Sequence, residues 1–166
     1  MSNIKYFESQ AFIFSKEEEI SYPEALKRNW YVACYCTDNI PDYAEVIGHG
    51  KVKEVVYYNR QRLDENLLKK HISQYRNCPF EVVTPYQDME GKLIRDIYFF
   101  NGVGELRAIT EEHYNSQHDI LMEVRLDSNR NLSGRIQYEY DATGELKTVR
   151  ELSPDGTVMS EEDYDN

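Results

Sequence analysis

The sequence has no long apolar run, little cysteine and a shortage of basic residues. No stretch approaches the roughly 18 consecutive apolar residues that a membrane-spanning helix requires, so no membrane partner is expected. The opening Met1-Ser2-Asn3-Ile4-Lys5 lacks the charged-then-apolar layout of a secretory signal. Three cysteines make an odd count, and Cys34 and Cys36 stand too close on one strand for an easy mutual bridge. Free thiols in a reducing compartment follow, and with them a cytoplasmic location is expected.

Lysine and arginine number 19 against 30 aspartates and glutamates, a net charge of −11. A nucleic-acid binder gains most of its affinity by neutralising phosphates and needs the opposite sign, so nucleic acid is not the expected partner. The same charge keeps a protein soluble and would speed encounter with a basic protein. The excess is uneven: Glu139 to Asn166 holds nine carboxylates against Lys147 and Arg150.

What the sequence does have is a repeat. Tyr138-Glu139-Tyr140-Asp141-Ala142-Thr143-Gly144-Glu145-Leu146 aligns without a gap on Tyr98-Phe99-Phe100-Asn101-Gly102-Val103-Gly104-Glu105-Leu106. Weaker copies run from Val124 to Leu132, from Tyr114 to Ile120 and from Leu152 to Val158, and Tyr164-Asp165 opens one more. The residue before each turn falls at 100, 114, 126, 140, 152 and 164, a unit of about thirteen residues. Asn or Asp opens each turn because its side chain can bond nearby backbone, and glycine supplies a positive φ later in the turn. Such loops suit antiparallel hairpins.

Between turns the residues alternate with a period of two, as strands require. Ile120, Met122, Val124 and Leu126 are expected on one face, as are Leu132, Ile136, Tyr138 and Tyr140, and Leu106, Ala108, Thr110 and Tyr114. Glu123, Arg125, Arg135, Gln137, Glu139, Arg107, Glu111 and His113 fall on the other. One dry face and one wet face are therefore expected, with Arg135, Gln137 and Glu139 exposed.

The first half is less regular. Residues 30–36 and 51–59 read as strands, and 37–50 between them as a loop. A helix is expected over 63–75, with Leu68, Ile72 and Tyr75 as its apolar stripe, Leu67 and His71 flanking it, and Asp64 and Glu65 in its first turns. A shorter helix is expected over 23–28, capped by Ser21. The fold class is thus mainly β, α+β with minor helix: an antiparallel β-meander of repeated hairpins, covered on one face by the helix near 63–75. No linker divides the chain, so residues 1–166 read as a single domain with an irregular part, 1–87, and a meander, 88–166.

The stretch from Tyr138 to Leu146 resembles the YD repeat of bacterial Rhs-type proteins, whose core is tyrosine-x-tyrosine-aspartate, two residues, glycine, a polar residue and leucine. It departs from that pattern at Glu145, where the family usually has arginine. The layout is also similar to the MORN-like repeats of small bacterial antitoxin and immunity-type proteins. The likeness covers about residues 88–166. It implies a hairpin architecture and a role in holding a partner, and it transfers no catalytic residue.

Candidate chemistry is sparse. Cys34 and Cys36 share a strand face and are half of a zinc site at most, with Cys78 the only further thiol; small buried thiols are the competing reading. His113, His118 and Asp119 surround a turn, His49 lies in a loop and His71 on the helix. No acid/base pair and no phosphate-cradling loop stand out, so no catalytic residue, metal or cofactor is expected, and the protein is not expected to be an enzyme. The 14 tyrosines are the remaining unusual feature. Most suit core and cross-strand pairs, and a few beside acidic strands suit a protein interface. The expected partner is therefore a protein, a basic toxin domain in an immunity or antitoxin role, met by Glu139, Asp141, Glu145, Glu151, Glu123 and Glu111. The alternative is a scaffolding protein that binds a partner or itself through a sheet edge. The chain itself is expected as a monomer or weak homo-oligomer.

Overall fold

The computed structural model describes residues 2–10 and 19–164. The protein is mainly β, its strands almost all antiparallel, and it carries two short helices. Asp165 of the last, incomplete repeat lies outside the described residues. The described residues divide into two compact units, one of residues 2–10, 19–84 and 99–105, the other of residues 85–98 with 106–164.

The first unit holds β1 (Ser2–Phe7), β2 (Glu19–Ile20), α1 (Tyr22–Ala25), β3 (Trp30–Thr37), β4 (Ile40–Gly48), β5 (Lys51–Tyr57), α2 (Glu65–Gln74) and β6 (Phe80–Val83). Its strand order is β6-β5-β4-β3-β1-β2. Only β5 and β6 run parallel, and α2 supplies the crossover that a parallel pair needs. The segment expected as a loop, 37–50, is mostly strand β4. Two tight turns enclose it: Asp38-Asn39 with φ of 50° and 66°, and His49-Gly50 with φ of 50° and 71°. Paired positive φ values match the twist of a two-residue hairpin, and Asp, Asn, His and Gly tolerate them. Pro41, a residue that argues against a strand, sits where the pairing with β3 shifts, opposite Cys36, and so interrupts no regular ladder.

α2 begins later than expected, because Asp64 is its cap: the Leu67 amide donates to Asp64 Oδ1 at 2.8 Å, an arrangement worth about 1 kcal/mol. The helix is also rotated from the expected stripe. His71 is fully buried while Ile72 is 41% exposed. The packed stripe therefore runs through Leu67, Leu68, His71 and Tyr75, and the helix rests on its own unit's sheet through Tyr57 and Phe80. α1 is shorter than expected; Ser21 donates from its backbone N and Oγ to the Glu24 carboxylate at 2.9 and 2.6 Å. This unit contains most of the core, including Phe7, Val32, Cys34, Ala44, Val55, Val56, Phe80 and Val82.

The second unit is strands alone among the described residues: β7 (Gln87–Met89), β8 (Lys92–Phe100, its last two residues belonging to the first unit), β9 (Leu106–Tyr114), β10 (Ile120–Asp127), β11 (Leu132–Tyr140), β12 (Leu146–Leu152) and β13 (Val158–Asp163). From β8 onward each strand neighbours the next in chain order, and β7 pairs with β8. This is the antiparallel meander.

Its turns are copies of one another. In each five-residue turn the first amide donates to the fifth carbonyl, at 3.0 Å for Asn101–Glu105, 3.0 Å for Asn115–Asp119, 2.9 Å for Asp127–Asn131, 2.9 Å for Asp141–Glu145 and 2.9 Å for Ser153–Thr157. The fourth residue, Gly104, His118, Arg130, Gly144 or Gly156, has positive φ. Oδ1 of Asn101, Asn115, Asp127 and Asp141 accepts from the third and fifth amides of its own turn. Glycine is dispensable at the fourth place because His118 and Arg130 adopt the same backbone, with rings or hydroxyls to hold them: His118 meets the Tyr86 ring edge-on and Arg130 donates to Tyr98 Oη.

The expected dry and wet faces do not form. Leu132, Ile136, Tyr138 and Tyr140 are all half-buried, Arg135 and Gln137 are half-buried too, and only Glu139 is exposed as expected. The reason is a bulge after each of the four turns that join β9 to β13. Leu126 pairs with Leu132, but Arg125 pairs with Gly134, so Ser133 is an extra residue. Leu121, Lys147 and Met159 are extra in the same way. One inserted residue sends the rest of the strand to the opposite face. Ile136 therefore shares a row with Glu112, Glu123 and Glu151, whereas Val124 lies beside Glu111 and Arg135. Both faces are mixed, and among the described residues the second unit's only buried side chains are Ile109, Tyr114, Thr148 and Leu152.

Candidate functional site

Bulges also decide where the six acidic candidates go. Glu123 and Glu151 share one face, where Glu123 accepts from Tyr138 Oη at 2.5 Å and Glu151 pairs with Arg125 at 2.9 Å. Glu111 and Glu139 lie on the other, where Glu111 meets His113 Nε2 at 2.7 Å and Glu139 pairs with Arg150. Arg150 also pairs with Glu161 on β13. Asp141 and Glu145 belong to a turn. Asp141 is taken up by that turn, and the Thr143 hydroxyl with the Thr143 and Glu145 amides holds its carboxyl below the ordinary value. The six therefore form no single patch.

The thiols are structural in setting. Cys34 and Cys36 are buried with their sulfurs 3.6 Å apart, and burial followed by the neighbouring Cys36 pushes the Cys34 thiol up. A protonated, enclosed thiol is a poor nucleophile. Among the described residues no group of three histidine, cysteine or carboxylate side chains is placed to hold a metal.

The most organised polar constellation lies elsewhere, on the face of the first unit's sheet that α2 partly covers. Register places Tyr35, Tyr43 and Tyr57 in one row across β3, β4 and β5, and Tyr6, Ala33, Glu45 and Val55 in the next. Glu45 Oε2 accepts from Tyr35 Oη at 3.0 Å and Glu45 Oε1 from Tyr75 Oη at 2.5 Å. Tyr35 and Tyr43 are stacked, ring centroids 4.3 Å apart and 6° from parallel. Burial, then the charge of Glu45, raises the Tyr35 and Tyr43 hydroxyls, so both stay protonated donors at neutral pH.

His71 closes the inner end. Its Nε2 lies 2.8 Å from the Cys78 carbonyl oxygen, which can only accept, so Nε2 carries the proton. Nδ1 is then the acceptor for Tyr57 Oη at 3.0 Å. Burial holds the imidazole below its ordinary value, consistent with the neutral ring this requires. Little in the sequence signals this network. Its members are spread from residue 35 to residue 78, and Glu45 lay in the segment read as a loop.

A second constellation occurs in the second unit. Arg95 donates from Nε to Glu112 at 2.5 Å and from Nη2 to Tyr114 Oη at 2.8 Å, and its guanidinium lies 5.0 and 5.3 Å from the Tyr86 and Tyr114 ring centroids. Glu112 also accepts from Tyr114 Oη at 2.6 Å.

Comparison with protein-family models, with curated proteins and with solved structures finds no match to this chain.

Proposed function

We propose that the protein is a non-enzymatic, acidic protein-binding module of the immunity or antitoxin kind, acting in the cytoplasm by holding a basic toxin domain. The observation that carries this reading is where the charge lies. Residues 85–98 and 106–166 hold seventeen carboxylates against eight lysines and arginines, so nearly all of the chain's −11 belongs to the second unit. A sheet accessible on both faces offers that charge to a partner, whereas turn chemistry accounts for Asp127 and Asp141. Charge of one sign steers association and favours partners of the other sign. The reading also draws on the likeness of residues 88–166 to YD and MORN-like hairpin repeats.

The test is capture from the native host with the tagged chain at low salt, followed by elution with rising salt. A basic protein released by salt, and inactivated by stoichiometric addition of the chain, is the expected outcome. Recovery of no stable protein partner would count against the reading, as would a neighbouring gene with no toxin-like product.

One observation favours the scaffolding alternative. Among the described residues strand β13 has β12 as its sole neighbour, and it exposes Val158 at 51% and Met159 at 70%. An open apolar edge invites strand addition. Glu161, Glu162 and Asp163 on the same strand oppose pairing with a second copy, since like charges would face one another. Light scattering separates the two: a concentration-dependent oligomer supports scaffolding and a monomer supports the first reading.

A further inference from the structure

The tyrosine face of the first unit extends beyond α2. Register adds Ile4 and Tyr6 of β1 and Tyr31 of β3 to the face that carries Glu45. Tyr6 lies 5.1 Å from Tyr22 and 6.4 Å from Tyr31, centroid to centroid. Tyr22 is 51% and Ile4 46% exposed, so this end of the sheet is open to a partner. Between Tyr6 and Glu45 stands Ala33, whose short side chain is buried and keeps the row low at that point.

Glu45 is half-buried, yet among the described residues no lysine, arginine or histidine pairs with it. Its hydrogen-bond donors are the neutral hydroxyls of Tyr35 and Tyr75. Each carboxylate oxygen offers about two acceptor positions, so one on each remains open. A partly desolvated carboxylate without a counter-charge is costly to keep, and a cation arriving there is favoured.

The chain shows what such a cation looks like when it is present. At Arg95, a carboxylate that accepts a tyrosine hydroxyl also accepts the guanidinium, and two tyrosine rings flank it. Glu45 has the same parts, with Tyr35 and Tyr75 as hydroxyl donors and stacked rings alongside, and lacks the arginine. Planar guanidinium suits both ring faces and carboxylate forks better than an ammonium does.

We infer that this tyrosine-walled face, centred on Glu45, is a seat for an arginine side chain of a protein partner. The inference rests on the reading of a basic protein partner and adds the residues that receive it. Tyrosines supply rigid contact area at small entropic cost, as in binding loops generally.

The test is titration of the full chain with hexa-arginine amide, read from tyrosine ring signals by NMR. Tyr31, Tyr35 and Tyr43 are expected to shift, and Glu45→Gln to weaken binding about tenfold. Because Glu45 also ties Tyr75 of α2's C-terminal end, the amide spectrum of the variant is compared with the parent. Tyr31→Ser leaves both hydrogen bonds to Glu45 in place and is expected to weaken binding about threefold. A hexalysine amide is expected to bind more weakly than the arginine peptide. The triple change Glu161→Gln, Glu162→Gln, Asp163→Asn is expected to leave the tyrosine shifts intact. If binding follows that triple change and ignores Glu45→Gln and Tyr31→Ser, the seat is overturned while the basic-partner reading stands. If no basic peptide binds the parent chain, both fall.

Discussion

Asp127 and Asp141 show how a carboxylate is engaged by its own turn. Each opens a turn and accepts its third and fifth amides, and Asn101 and Asn115 do the same in sister turns. The Asn131 side chain chiefly holds the Asp127 carboxyl below the ordinary 3.8, and the Thr143 hydroxyl does so for Asp141. The Ser153 hydroxyl and the Thr157 amide bring Asp155 to about 2. A carboxyl lowered in the folded state contributes stability above its unfolded value and loses it as pH falls through its folded value. Stability is therefore expected to fall between pH 3.8 and about 2, as measured by urea midpoints. The double variant Asp127→Asn, Asp141→Asn should keep the turns and flatten that acid limb. Gly102 makes the complementary point about space. An added Cβ would run into the Asn77 backbone, which cannot yield as a side chain can. Gly102→Ala is expected to cost about 1–3 kcal/mol by thermal melting, while Ser128→Ala, at the same place in an exposed turn, should be nearly neutral.

At the scale of elements, the bulge is the feature that matters most. Period-two alternation is written into the sequence over 120–126 and 132–140, and the pairing of Leu126 with Leu132 is the one it suggests. Ser133 then shifts everything after it, and no propensity marks Ser133, Leu121, Lys147 and Met159 as extra residues. α2 shows a related effect. Its existence and rough span were legible from spacing, but its rotation was set by His71, a polar residue buried because both ring nitrogens are satisfied. Since burial lowers the His71 value, protonation favours the unfolded state: stability present above the ordinary 6.5 is lost as pH falls toward the folded value. NMR is expected to show His71 neutral with its proton on Nε2 at pH 6.5. His71→Ala should leave Tyr57 and the Cys78 carbonyl without their partner and cost about 2–4 kcal/mol through lost packing and hydrogen bonds.

Across the whole molecule, burial and charge are divided between the units. Among the described residues the fully enclosed side chains, Phe7, Val32, Cys34, Val55, Val56 and Phe80 among them, belong to the first unit, and Ile109 is the one comparable residue in the second. The second unit depends instead on cross-strand pairs and hydrogen-bonded turns. Native-state hydrogen exchange is expected to be slowest in β3, β4 and β5 and fastest in β13, whose residues are all exposed. Equal protection in β4 and β13 would contradict this distribution. Most of the net negative charge thus lies in the second unit, and the tyrosine face lies in the first.

The sequence by itself determined the repeat, the five turns and the strands they join, because turn residues act through bonds to their own neighbours. It also determined the charge and the main helix. Only the tertiary structure decided which face each half-strand presents, since a bulge depends on the partner strand's register. It alone assembled Tyr35, Glu45, Tyr57, His71 and Tyr75, which meet because β3, β4 and β5 lie side by side beneath α2. Local rules fix what a residue does within its own turn, whereas a site made from distant residues exists only once the chain has packed.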